Sequence, residues 1–216
     1  MDQGQRQHSP DELTIDLMTR MPPLETERLL LREFTLEDLD DIHRVLDIEL
    51  ADATVGAGEV VPRDARAQWL TWTVLGYAQS AWLCQPPYGD RAVVLRETGE
   101  IVGAVGFVPC LAPFGQLPAL RLSAAAPSPP RFTPELGLYY AISPRHQRRG
   151  YALEAACAMR DHAFRALRVA RLVATTHHDN AGSKAVMRGL GMQIEENPLP
   201  EPPWLQVVGV LDAPGT

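Results

Sequence analysis

Arg145, Arg148, Arg149 and Gly150 crowd a single turn of this chain, within SPRHQRRG (143–150). Before them, ELGLYYAI (135–142) is an apolar, β-rich run that reads as a strand. After them, 151–167 reads as a helix with Leu153, Cys157, Phe164 and Leu167 on its packed face. A helix N-terminus presents unsatisfied N–H groups and about half a positive charge. A glycine at that point lets an anion approach the backbone, and the arginines add fixed charge around it. The chemistry this constellation predicts is the cradling of a pyrophosphate. A solvated surface turn uses the same residue types, but a turn placed directly between a strand and a helix favours the cradle.

Other polar clusters carry less. His177-His178-Asp179 suggests a metal, yet adjacent side chains at a strand end point opposite ways and cannot easily share an ion, so no metal site is expected. Cys84, Cys110 and Cys157 show neither metal-ligand nor CxxC spacing, and an odd count argues against a disulfide framework. His43, His146 and His162 read as surface or packing residues. Lys184 and Arg188 read as solvated charges.

The elements that must position the basic turn follow from pattern. The 216-residue length suits one α/β domain, and a 45 % hydrophobic fraction supplies its core. Residues 1–23 are polar and aperiodic and read as a flexible arm. A strand is expected over 29–34. Thr35, with Glu37 and Asp38 behind it, starts a helix whose apolar face is Leu39, Ile42, Val45 and Leu46. A second helix is expected over 64–77 with Trp69, Trp72 and Leu75 buried, and Trp82 and Tyr88 join them as core. Runs 91–96 and 100–107 flank a Gly99 turn and form a hairpin. The Pro- and Ala-rich stretch 109–134 reads as a long loop, functional or poorly ordered. A strand over 171–176, a helix from Asn180 to Leu190 capped by Gly191, and a closing strand over 204–211 complete a mixed sheet flanked by helices.

Charge and hydropathy exclude some functions. A net charge of −7 is the wrong sign for a general phosphate-backbone binder, so nucleic acid is not an expected partner. An apolar run of ~20 residues is absent, and so is the apolar core of a signal peptide, so the reading is a cytoplasmic protein without a membrane partner.

At QRRGYA (147–152) the chain resembles the acetyl-CoA signature of the GNAT (Gcn5-related N-acetyltransferase) proteins. DNAGSKAVMRGLGM (179–192) and the opening LETERLLLREFTLEDLDDI resemble the RimJ/RimL-like ribosomal-protein N-acetyltransferase branch. The resemblance spans 24–211. It implies one GNAT-type domain over 24–212, a mostly antiparallel mixed sheet with a splayed central strand pair. It implies acetyl-CoA as cosubstrate, and an amine as acceptor, with no metal. The pantetheine arm would lie along Tyr140, Ala141 and Ile142. The pyrophosphate would lie against Arg145, Gln147, Arg148, Arg149, Gly150, Tyr151 and Ala152. Asn180 would cap its helix and bond the pantetheine amide. Ser183 would protonate the departing CoA thiolate or stand only as a small first-turn helix residue, and Glu135 would act as base through water or stand only as a strand-edge surface carboxylate, with water itself as the base. The Pro-rich stretch and the tail 197–211 depart from the branch and flank the acceptor channel, so the branch's substrate is not carried over. The reading admits a homodimer.

A thioester is already activated, so the protein needs to align amine and carbonyl, which can supply ~7–11 kcal/mol. A backbone N–H near Ile142 would polarise the carbonyl. The amine must lose a proton first. With α-amines at pKa ~7.7–8.0 and lysine at ~10.4, neutral fractions at pH 7 differ roughly 300-fold, favouring a low-pKa acceptor. Two other readings stand beside this one. One is an acyl-CoA-binding module that has lost catalysis. The other, a dinucleotide-binding oxidoreductase, requires a glycine triplet that HQRRGYA lacks.

Overall fold

The computed structural model describes residues 21–51, 60–121 and 131–215. Eight strands form one sheet: β1 (Leu24–Glu25), β2 (Leu29–Glu33), β3 (Gly89–Leu95), β4 (Ile101–Ala112), β5 (Thr133–Ile142), β6 (Arg171–Thr176), β7 (Gln193–Glu196) and β8 (Val207–Asp212). Their spatial order is β1-β2-β3-β4-β5-β6-β8-β7, so β8 inserts between β6 and β7. Every pairing is antiparallel except β5 with β6, which run parallel and meet at a single register, Gly137↔Val173. From Leu138 onward β5 leaves β6, and the sheet opens there.

Helices cover both faces. On one side lie α1 (Leu39–His43), which runs on into a π-helical turn (Arg44–Glu49), and α2 (Arg63–Trp82). On the other lie α3 (Tyr151–Arg165) and α4 (Ala181–Leu190). Alternation along the strands divides the core accordingly. Val93, Val105, Phe107, Leu138 and Ile142 pack with Ala155, Ala156, Met159 and Met187. Ala92, Val94, Ala104 and Tyr139 pack with Phe34, Ile42 and Leu70. The entry to α1 is a capping box: the Asp38 carboxylate accepts from Thr35 N (2.8 Å) and is held by Arg32 at 2.7 and 2.8 Å.

Several expectations are corrected. The buried apolar residue of α2 is Leu70, whereas Trp72 and Leu75 are 64 % and 62 % exposed; Trp69 packs edge-on against Phe34. Trp82, expected in the core, is 81 % exposed. The helix carries apolar residues all round, so periodicity could not say which stripe faces inward. Met21, inside the expected arm, is buried in the main core; residues 1–20 lie outside the described residues. The first half of the expected long loop is structured. β4 runs to Ala112, and short helical turns (Phe114–Gln116 and Pro118–Leu120) bury Phe114, Leu117 and Leu120 against Val208 and Val210. Residues 122–130 lie outside the described residues. β7 was not anticipated. His146 and His162 are buried.

Candidate active site

The opening between β5 and β6 leads into a cleft of about 1340 Å³. Its walls include Leu138 through Ile142 of β5, Val173 through Thr176 of β6, His146 through Arg148, Gly150 through Leu153, and Asp179 through Ser183. Its far side includes Leu46 and Leu50, Arg66 and Trp69 of α2, Asp90 of β3, and Val108 and Cys110 of β4.

The free edge of β5 follows from its pairing. Ser143 N donates to Val102 O (2.8 Å), continuing the β4 register one step past Gly103↔Ile142. Donors alternate along an antiparallel strand, so the N–H groups of Ile142 and Tyr140 point away from β4 and towards the opening. These are the donors a pantetheine arm and a thioester carbonyl require. Gln147 steadies this end: its Nε2 donates to Ile142 O at 3.0 Å.

The turn into α3 is built to present N–H groups. Arg148 and Gly150 both have left-handed backbones, at φ 60° and 83°. Left-handed residues alternating with right-handed ones form concave nests of amide groups that bind anions. Gly150 is the N-cap and leaves the first N–H groups of α3 without side-chain partners. Arg28, before β2, braces the turn. It donates to Arg149 O at 2.9 Å, pairs with Glu154 at 2.6 Å, and lies 4.6 Å over the Tyr151 ring. Thr26 Oγ1 and Arg28 N also donate to Glu154, at 2.5 and 2.9 Å. Burial opposes that charge, but these donors win and hold the Glu154 carboxyl below its ordinary value. No local pattern signals this brace, because Arg28 and Glu154 are far apart in the chain.

Arg145 faces elsewhere than the cradle. It is mostly exposed and bonds Glu49 at 3.3 Å. Glu49 also accepts from Arg44 at 2.7 Å and from Ser143 Oγ, which ties the π-helical turn to the end of β5. Arg149 contributes its carbonyl to the Arg28 brace, and the cleft wall is formed by its neighbours Arg148 and Gly150.

Across the opening, Asn180 Oδ1 accepts from Ser183 N at 2.9 Å and caps α4. Ser183 Oγ meets the Tyr140 hydroxyl at 2.9 Å, and Tyr140 also reaches Ser183 O at 3.2 Å. Burial pushes the Tyr140 phenol up while the Ser183 contact opposes it, so the pair is neutral at pH 7. Tyr140, distant in sequence from Asn180 and Ser183, therefore meets them at one wall. Glu135 is elsewhere. It lines a separate recess with Pro134, Val169, Ala170, Arg171 and Asp212, and pairs with Arg171 at 3.5 Å. Burial pushes its carboxyl up, against the pull of Arg171.

Among the described residues no group of three His, Cys, Asp or Glu is placed to hold a metal ion, and no helix is long and apolar enough to cross a membrane.

The chain is similar to known proteins along most of its length. Residues 28–193 match the Acetyltransferase (GNAT) domain family. The uncharacterized N-acetyltransferase YnaD of Bacillus subtilis is 26 % identical over 174 residues, 79 % of this chain and 82 % of YnaD. The fold is shared with an acetyltransferase from Agrobacterium tumefaciens (TM-score 0.64, 24 % identity, 89 % of this chain and 95 % of that one). It is shared also with RimL, a ribosomal L7/L12 α-N-protein acetyltransferase in complex with coenzyme A (TM-score 0.60, 14 % identity, 87 % and 96 % covered). The family match covers well over half of the chain, includes the basic turn and the Asn180–Ser183 helix start, and agrees with a fold whose sheet opens beside them: the chain belongs to the GNAT family of acetyl-CoA-dependent acetyltransferases.

Proposed function

We propose that this protein transfers the acetyl group of acetyl-CoA directly to a primary amine within a ternary complex. The observation that carries the reading is the parting of β5 from β6 beside an amide nest at the start of α3. The nest suits the pyrophosphate, with N–H groups from Arg148 to Ala152 facing it. Arg145 and Arg149 act at longer range, as positive charge near the phosphates, and Gln147 acts by fixing the strand end. The edge of Tyr140, Ala141 and Ile142 suits the pantetheine amides and the thioester carbonyl, whose oxygen gains negative charge as the amine attacks. Asn180 keeps amide capacity beyond its cap bond for the pantetheine.

The acceptor enters from the side of Leu46, Trp69 and Val108. Its neutral nitrogen attacks the thioester, a C–N bond forms, the C–S bond breaks, the surplus nitrogen proton leaves to water, and Ser183 gives its proton to the thiolate. Tyr140 returns a proton to Ser183 and is resupplied by water. RimL acts on a protein α-amine, and an α-amine or another low-pKa amine is the acceptor class favoured here, since its neutral form is the more abundant.

Thiol release from acetyl-CoA, measured with a panel of peptide α-amines, lysine derivatives and small aromatic amines, tests the reading. Amine-dependent release with a matching acetylated product is expected. Tight acetyl-CoA binding with no acetylation of any amine would instead support an acyl-CoA-binding module.

A further inference from the structure

We propose that Asp90 is the base that takes the proton of the acceptor ammonium, in a pocket suited to an amine bearing one charge beside an apolar or aromatic group. This rests on the amine-transfer reading above and adds the residue and the substrate class.

Asp90, Gly106 and Tyr139 are directly opposite one another across β3, β4 and β5. Residues so paired share one face of the sheet, here the face of Phe34, Leu70 and Trp69. Tyr139 lies two residues beyond Gly137, the last point at which β5 holds β6. The row therefore crosses the sheet where it opens, about 7 Å along the strand from the last pairing. Gly106 makes room in the row. A Cβ there would stand 2.7 Å from Asp90 Oδ1, so only a bare backbone lets the carboxylate lie across β4 towards Tyr139.

The charge of Asp90 is unspent. Its Oδ1 is buried with no hydrogen-bond partner among the described residues. Arg66 of α2, the cation whose charge acts on Asp90, is committed elsewhere. It grips Asp47 of the π-helical turn with two bonds of 2.7 and 2.6 Å and lies 4.7 Å over the Trp69 ring. Tyr77 of α2 bonds the backbone carbonyl of Asp90, not its carboxylate. Tyr139 is a buried phenol whose ionisation burial opposes. Arg66 and Asp47 cancel, which leaves one negative charge among Leu46, Leu50, Trp69 and Val108. An unsatisfied buried carboxylate gains most from a cationic donor, and Trp69 and the aliphatic walls suit an apolar or aromatic group on the same molecule.

The chemistry balances. The ammonium passes one proton to the Asp90 carboxylate, which releases it to water after turnover. The amine attacks, the second surplus nitrogen proton leaves to water as the amide forms, and the thiolate is protonated through Ser183. Burial pushes the Asp90 carboxyl up to about 6, with Arg66 opposing. It is therefore ionised at pH 7 yet only about two units below an α-amine, which is the match a general base needs.

The test is kcat/KM against pH for wild type, Asp90→Asn, Asp90→Glu and Glu135→Gln, with phenylalaninamide, a tripeptide α-amine and Nα-acetyl-lysinamide as acceptors. Acetyl-CoA affinity and thermal midpoint are measured alongside. In wild type an acid limb near pH 6 is expected, with phenylalaninamide the best of the three acceptors. Asp90→Asn should lose that limb and roughly 10²–10⁴ of the rate while binding acetyl-CoA normally. Asp90→Glu should keep the limb at reduced rate, and loss of the limb in Glu135→Gln instead would move the base to Glu135 and overturn the proposal. An active wild type without an acid limb near pH 6, or an Asp90→Asn variant with wild-type rate and profile, overturns Asp90 as base and leaves the transferase reading standing. A wild type that binds acetyl-CoA and acetylates no amine overturns both.

Discussion

Asn180 and Ser183 stand where a helix start meets the proposed chemistry. The Asn180 carboxamide oxygen caps α4 on Ser183 N, while its amide group remains available to a ligand in the cleft. Asn180→Ala is expected to cost ~0.5–2 kcal/mol of stability through the cap, read as a lowered denaturation midpoint. It should also weaken acetyl-CoA by ~1–3 kcal/mol, because a cofactor amide would lose its partner. Undiminished affinity in calorimetry would reduce Asn180 to a helix cap. Ser183→Ala should spare binding and lower kcat, since a donor to the leaving sulfur matters only as charge develops on it. Normal turnover would strike Ser183 from the mechanism. At this scale the motif residues were legible, because helix caps and glycine turns have local signatures. Asp90 was not legible, since its role depends on Gly106 and Tyr139 standing beside it from two other strands. Glu135 shows the converse: its place on the right strand suggested a base, but only three-dimensional structure shows its partner Arg171.

Among the elements, α3 carries the proposed pyrophosphate site at its N-terminus, which is fixed from outside. Glu154, in the first turn, is also an anion placed where the helix dipole favours one. Because its folded pKa lies below the ordinary 4.5, its contribution is present in full above that value and is lost as pH falls through the depressed folded value. Glu154→Gln should therefore lower the thermal midpoint at pH 7, with the difference from wild type shrinking in acid. A difference independent of pH would mean that packing, not charge, does the bracing. α2 makes a second case. Trp72 is mostly exposed on its outer face, so Trp72→Gln should change stability by no more than about 0.5 kcal/mol; a larger loss in chemical denaturation would place that face in an unseen contact. The C-terminal end of α2 lies five residues beyond expectation, at Trp82, since no glycine or proline stands directly after it, whereas Pro62 marks the start. The strands and helix of the cofactor half, in contrast, were legible nearly to the residue, from clean apolar runs closed by Gly150 and Gly191.

For the whole molecule, sequence order and spatial order part company in the C-terminal third, where the last strand enters between β6 and β7. No local pattern encodes that insertion, and β7 is too short to announce itself by alternation. The buried segment around Phe114 and Leu117 was likewise hidden by its proline and alanine content. What the fold achieves as a unit is to spread β5 from β6 while two helix starts converge on the gap. The most direct measurement of that claim is a calorimetric titration of acetyl-CoA into wild type and Gly150→Val, with circular dichroism to confirm that both are folded. At φ 83° a β-branched residue is strained, and its Cβ would stand 3.3 Å from Arg28 Nη2. The expectation is one acetyl-CoA per wild-type chain and a loss on the order of 100-fold or more in the folded variant, about 2.7 kcal/mol. Unchanged affinity in folded Gly150→Val, or no binding by wild type, would contradict it.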